Sequence, residues 1–158
     1  MPSERDDSGS PRLLRYRRIA VAVDGSPCSA KALEEAVGLA KCAGSELSVL
    51  HVMVVSSALF SADVRQPIEG VEREKREQGE RLVAAASAEA RRHGVEAKEV
   101  LVEAMDSAVT GIAHYMAEND VDLLVVGTRG LTGVRRLFVG SVASGVVRCA
   151  PCTVMVVK

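Results

Sequence analysis

The chain contains no tryptophan, and with two tyrosines and two phenylalanines it is only 3% aromatic although 47% of it is hydrophobic. Large flat rings therefore cannot dominate the core, which must be assembled from Val, Leu, Ile and Ala. Small aliphatic residues in short dense runs suit a parallel sheet covered on both faces. No apolar run approaches the roughly 18 residues that a membrane-spanning helix needs. Residues Met1 to Pro11 are polar and hold no apolar stretch, so they do not read as a signal peptide, and the cytoplasm is the expected location. Four cysteines are too few to staple a chain of 158 residues and are expected to be thiols. A net charge of -1 and a pI near 6.3 give no general pull towards nucleic acid or a membrane surface. One domain, large enough to bury its own core, is the expectation at this length.

The pattern along the chain is an alternation of strands and helices. Residues 1–15 are rich in Ser, Asp, Arg and Pro and read as a disordered tail; Arg15, Arg17 and Arg18 form a basic patch that reads as a solvated lead-in. The single folded domain then covers residues 16–158. Ile19 to Val23 is a short apolar run, and Ser26 followed by Pro27 announces a helix with its N-cap and first residue. Leu33, Ala36, Val37 and Ala40 supply the apolar stripe of that helix, and Gly44 closes it. Leu47 to Val55 reads as a strand, 56–68 as a loop, and Glu69 to His93 as a long charged helix stopped by Gly94. Glu96–Glu103, Val121–Val126 and Thr153–Val157 read as strands, and Ser107–Glu118 and Ser141–Cys149 as helices. Such alternation means an α/β fold with a mainly parallel sheet and helices on both faces. Ligands of such sheets lie beyond the C-terminal ends of the strands, where the winding reverses.

Two strand ends carry chemistry. Asp24 follows the first strand. After the fourth comes Gly127-Thr128-Arg129-Gly130 and then Gly140-Ser141-Val142, at the start of a helix. Glycine-spaced loops let backbone N–H groups approach an anion, and a helix N-terminus adds partial positive charge. The loop lacks the Gly-Lys-Ser/Thr ending of a Walker A motif, and its glycines at 127, 130 and 133 miss the G-x-G-x-x-G dinucleotide spacing. With the Ser141 hydroxyl, Thr128, Arg129, Arg135 and Arg136 nearby, it suits a polyphosphate. From its position Asp24 could be a general base or metal ligand, a hydrogen-bond acceptor for the ligand, or a cap on the adjacent helix; no carboxylate or His is tied to it by sequence for catalysis.

The spacing G-x2-G-x9-G-S, filled by Gly127, Gly130, Gly140 and Ser141, resembles the nucleotide-binding branch of the universal stress protein family. Val23-Asp24-Gly25-Ser26, His51-Val52 and the closing Ala150-Pro151-Cys152 to Val157 resemble that family as well. The resemblance implies a Rossmann-like open five-stranded parallel sheet of order 3-2-1-4-5, an adenine-nucleotide ligand, ATP first, and a homodimer. It also implies roles: Asp24 near the ribose, Val52 at the adenine edge through its backbone, Gly127 against the ribose, and Gly130, Gly140, Ser141 and Val142 on the phosphates. Mg²⁺ or Mn²⁺ is implied as a bridge between phosphates, although no dedicated ligand cluster appears in the sequence. The expected function is a regulatory, stress-response ATP-binding dimer. Alternatives are a slow ATPase or self-phosphorylating enzyme, an AMP- or cyclic-nucleotide-binding protein, or a nucleotide-free interaction module.

The remaining candidates read as structural. Cys149-Ala-Pro-Cys152 has the redox spacing, but it lies at a helix C-terminus, where the dipole opposes thiolate formation. Cys28 and Cys42 read as small residues on or near the buried face of the first helix. His51, His93 and His114 are scattered and suggest no zinc site; His51 is expected to be packed or hydrogen-bonded. The charge run Glu72 to Arg81 is expected to be a solvated helix face, with ion pairs worth about 0.3–0.5 kcal/mol each. The last strand should lie at a sheet edge, an apolar template that a second copy of the chain would cover.

Overall fold

The computed structural model describes residues 16–55, 65–128 and 139–158. Within them the elements run β1 (Arg18–Ala22), α1 (Pro27–Ala43), β2 (Glu46–Val54), α2 (Arg65–Arg92), β3 (Ala97–Ala104), α3 (Ala108–Glu118), β4 (Leu123–Gly127), α4 (Ser141–Cys149) and β5 (Thr153–Val157). The sheet is parallel throughout, in the order β3-β2-β1-β4-β5. Every expected strand and helix is present. The expected tail, residues 1–15, lies outside the described residues.

β1 explains why the sheet needs cover on both sides. Ile19, Val21 and Val23 point to one face, where they meet Leu33, Ala36 and Val37 of α1 and Val83 and Ala86 of α2. Ala20 points to the other, into a cluster with Leu50, Leu124, Ile112 and Met116 of α3, and Val146 of α4. Ala20 and Val21 are both 0% exposed, so the strand is core on both faces.

Several boundaries differ from the sequence reading, and each has a local cause. α2 begins at Arg65 and so takes in Pro67, which the sequence reading placed in a loop. A proline in a first turn costs little, because its missing N–H would have had no intrahelical partner. β4 begins at Leu123 rather than Val121, because Asp122 turns its carboxylate onto the backbone N–H groups of Arg17 (2.9 Å) and Arg18 (3.3 Å). Cys42 is exposed, not on the buried face of α1; Cys28 is half-buried. Glu72 leaves the solvated face: it is 8% exposed, with Lys75 3.1 Å away. The other charged residues of that run are exposed, several of them in ion pairs such as Arg73–Glu77 at 4.0 Å. Of the basic patch, Arg18 pairs with Glu46 (3.5 Å) and Asp120 (3.4 Å), Arg17 is exposed, and Arg15 lies outside the described residues.

Candidate functional site

Two residues about a hundred positions apart meet because β1 pairs with β4, with Val21 opposite Val125. β1 is also the strand from which the chain winds to β2 on one side and reaches β4 on the other. A crevice opens at the C-terminal ends of these strands, where open α/β sheets bind ligands. It is a cavity of about 260 Å³, walled by the ends of β1, β2 and β4 and the first turns of α3 and α4.

Its lining falls into three bands. Leu50, Val52, Ile112 and Val126 make an apolar wall. Asp24 supplies the one carboxylate among the described lining residues. Gly127, Thr128, Gly140 and Ser141 make a rim rich in backbone amides. Of the residues singled out from sequence, Asp24, Val52, Gly127, Gly140, Ser141 and Val142 all line this one cavity. Arg129 and Gly130, with Arg135 and Arg136, lie outside the described residues.

The cap on α1 is Ser26 rather than Asp24, and Asp24 instead braces the cap residue with half of its carboxylate. Oδ1 accepts the Ser26 backbone N–H at 2.9 Å. Oδ2 has no partner among the described residues and stands at the cavity wall as an acceptor. Ser26 in turn caps α1, its hydroxyl accepting the Ser29 N–H at 3.1 Å, and the buried Ser29 hydroxyl donates to the Ser26 carbonyl at 2.9 Å. Ser29 lines the cavity too. Sequence reading missed it, although a serine three residues after an N-cap serine was the available signal.

α4 is built differently at its start. Its N-cap is Gly140, which has no side chain to offer, and no side-chain hydrogen bond closes the first turn. Among the described residues nothing accepts from the leading amides of Ser141, Val142 and Ala143, which lie beside the cavity with the helix dipole behind them. The Gly140 N–H itself is committed to the Thr128 carbonyl at 2.6 Å.

Gly127 has a packing reason for lacking a side chain. A Cβ there would fall 2.7 Å from the Cys28 carbonyl carbon, so α1 rides directly on the end of β4. Gly111 does the same service for α3: a Cβ would fall 2.8 Å from Cγ1 of Val52. Both glycines bring a helix close enough to wall the cavity.

His51 is hydrogen-bonded, as expected, its Nδ1–H donating to the Val23 carbonyl at 2.8 Å and tying the ends of β1 and β2 together. The cysteine pair stands apart from the cavity. Burial pushes the Cys152 thiol up, with the Asp122 charge adding to the rise and a backbone hydrogen bond at Leu124 opposing it. Its sulfur sits 3.5 Å from that of Met116. Among the described residues no group of three or more His, Cys, Asp or Glu side chains is arranged to hold a metal ion, and no helix is long and apolar enough to cross a membrane.

Residues 15–158 match the model of the universal stress protein family. The universal stress protein YxiE of Bacillus subtilis is 34% identical over 149 residues, covering 90% of this chain and 99% of the relative. Among solved structures, the universal stress protein UspA from Lactobacillus plantarum superposes with a TM-score of 0.80 at 26% identity, over 91% of this chain and 99% of that one. A universal stress protein solved in complex with cAMP shares the fold, with a TM-score of 0.70 at 24% identity over 91% of this chain and 98% of that one. By sequence, by fold and over nearly its whole length, the chain belongs to the universal stress protein family.

Proposed function

We propose that this protein binds an adenine nucleotide, ATP first, in the crevice between β1 and β4, and acts as a regulatory stress-response protein of the cytoplasm. The observation that carries the reading is the uncapped N-terminus of α4, which faces an apolar wall across a half-free carboxylate. A nucleotide has the complementary sequence of parts: a flat apolar base, a ribose with hydroxyl donors, and an anionic end. The base lies on Val52 with its edge at the strand backbone, Asp24 Oδ2 accepts from the ribose, and Gly127 lies beside the sugar. Gly140, Ser141 and Val142 hold the phosphates, with Arg129 and Gly130 from the adjoining loop. A related structure with cAMP bound supports an adenine-nucleotide ligand for this fold. Mg²⁺ or Mn²⁺ would arrive with the phosphates, which supply its ligands.

The reading includes a homodimer through β5. The two sheet edges differ in kind: β3 exposes Lys98, Glu99 and Glu103, whereas Val154 to Val157 of β5 are half-buried and uncharged. A charged edge resists pairing and an apolar one invites it. Mass spectrometry of nucleotide released from freshly purified protein, followed by calorimetry with ATP, AMP and cAMP, tests the ligand. Gly140→Arg should abolish binding in a folded protein, and wild-type affinity in that variant would sink the site. Sedimentation of the wild type against a Val156→Lys variant tests the dimer, with a monomer expected only for the variant.

A further inference from the structure

Thr128 follows β4, is 6% exposed and is held in three directions. Its N–H donates to the Val157 carbonyl at 2.7 Å, and its carbonyl accepts the Gly140 N–H at 2.6 Å. Its hydroxyl donates towards Cys28 Sγ, 3.8 Å away in the first turn of α1. Gly140 is the N-cap of the helix whose free amides face the cavity. Val157 ends the edge strand β5, opposite Gly127. One buried residue thus joins the anion-facing helix to the sheet edge.

We propose that Thr128 is a positioning residue that couples occupancy of the cavity to the order of β5. The inference rests on the nucleotide reading above. The two hydrogen bonds belong to two rigid peptide planes that meet at the Thr128 Cα. Burial of the side chain and its bond to Cys28 restrain rotation at that Cα, so the planes move together. An anion seated on the first amides of α4 suppresses the openings in which Gly140 parts from Thr128. The same restraint passes through the second plane to Val157. Coupling of this kind is reciprocal: whatever anchors β5 tightens the grip on the anion by the same factor. Among the described residues β3, the opposite edge, has no such link to α4.

The test is hydrogen–deuterium exchange on the full-length protein, with ATP and Mg²⁺ as the probe and affinity measured by calorimetry. At saturation, exchange of the amides of residues 153–157 is expected to slow by about fivefold, while residues 97–104 keep their rate. Thr128→Pro deletes the N–H to Val157, and is expected to abolish the β5 response and weaken ATP by a similar factor. Should that variant fail to fold, deleting Val157 and Lys158 removes the acceptor instead, with the same expectation. Bound ATP with unchanged exchange in β5, or with equal slowing in β3 and β5, overturns the coupling and leaves the nucleotide reading intact. Failure of ATP to bind the wild type overturns both.

Discussion

Three helices, α1, α3 and α4, begin at the same crevice; the first two carry a serine cap, and α4 does not. α1 begins at Pro27 behind Ser26, whose hydroxyl takes the Ser29 N–H, while Asp24 takes the N–H of Ser26. α3 is closed in the same way by Ser107, which accepts the Thr110 N–H at 3.1 Å. α4 begins behind Gly140 with no side-chain cap among the described residues. A glycine N-cap falls short of a polar one by only about a few tenths of a kcal/mol, so the open start of α4 is a small standing cost. The cost falls where the crevice has its amide-rich rim. The helix starts thus differ in what they do with their donors: α1 spends its own on Ser26, and on the proposed reading α4 keeps its own for a ligand.

The sharpest way to break this contrast is to copy the α1 cap onto α4. Gly140→Asp should lower ATP affinity by about a hundredfold, because the new carboxylate occupies the amides and repels phosphate. The same change should raise the stability of the ligand-free protein by a few tenths of a kcal/mol, since a glycine cap is only slightly worse than a polar one. Calorimetry and urea unfolding read the two effects; retained affinity would show that the amides of α4 are not the phosphate seat. Next in size is Gly127→Ala, which forces a methyl to within 2.9 Å of the Cys28 carbonyl oxygen. Lifting α1 off β4 should cost about 1–3 kcal/mol in urea unfolding and weaken ATP as well, because it moves one wall of the crevice. Removing the α1 cap by Ser26→Ala should cost about 1 kcal/mol of stability and change ATP affinity less than threefold.

The smallest effect concerns the far end of α4. Cys149 is exposed, whereas the Cys152 thiol is half-buried and pushed up by that burial. Iodoacetamide at pH 8 should label Cys149 about tenfold faster than Cys152. The raised thiol also sets a sign. Below the ordinary thiol value of about 8.5, Cys152 is neutral in both folded and unfolded chains, and its contribution is complete. Above that value the unfolded chain loses the proton first, so stability falls as pH rises. Cys152→Ala should flatten this alkaline decline in pH-dependent melting.

Local chemistry was legible in the sequence; shape across the sheet was not. Ser26-Pro27 and Gly44 marked both ends of α1, and the Gly44 backbone indeed takes the left-handed conformation, with φ 66°. Aliphatic runs marked β1, β2, β4 and β5 clearly, whereas β3, a charged edge strand, was marked only by Val100, Leu101 and Val102. The resemblance, not periodicity, supplied the strand order. Gly127 was read as a ligand-facing residue and Gly111 drew no comment, yet both are places where a helix touches a strand. That reason lies in residues far away in sequence, Cys28 and Val52. Cys42 was misplaced for a related reason: a cysteine is small and apolar enough for either side of a helix, so its neighbours must decide. Glu72 sank beneath an otherwise polar run because α2 packs on β2 and β3 along its length. Thr128 looked like one more polar group near a phosphate, and its role as a joint depends on where Val157 and Gly140 lie.

The pairing of Ile19 with Leu123 gives the crevice a timetable. Its first wall leaves the ribosome early, and its second follows only after some hundred further residues have been joined. The amides of α4 come later still. A chain interrupted before β4 lacks the partner of β1 that forms the second wall of the crevice. On the proposed reading, a nucleotide would stabilise only molecules that carry both walls and the α4 amides, and would leave shorter fragments unprotected.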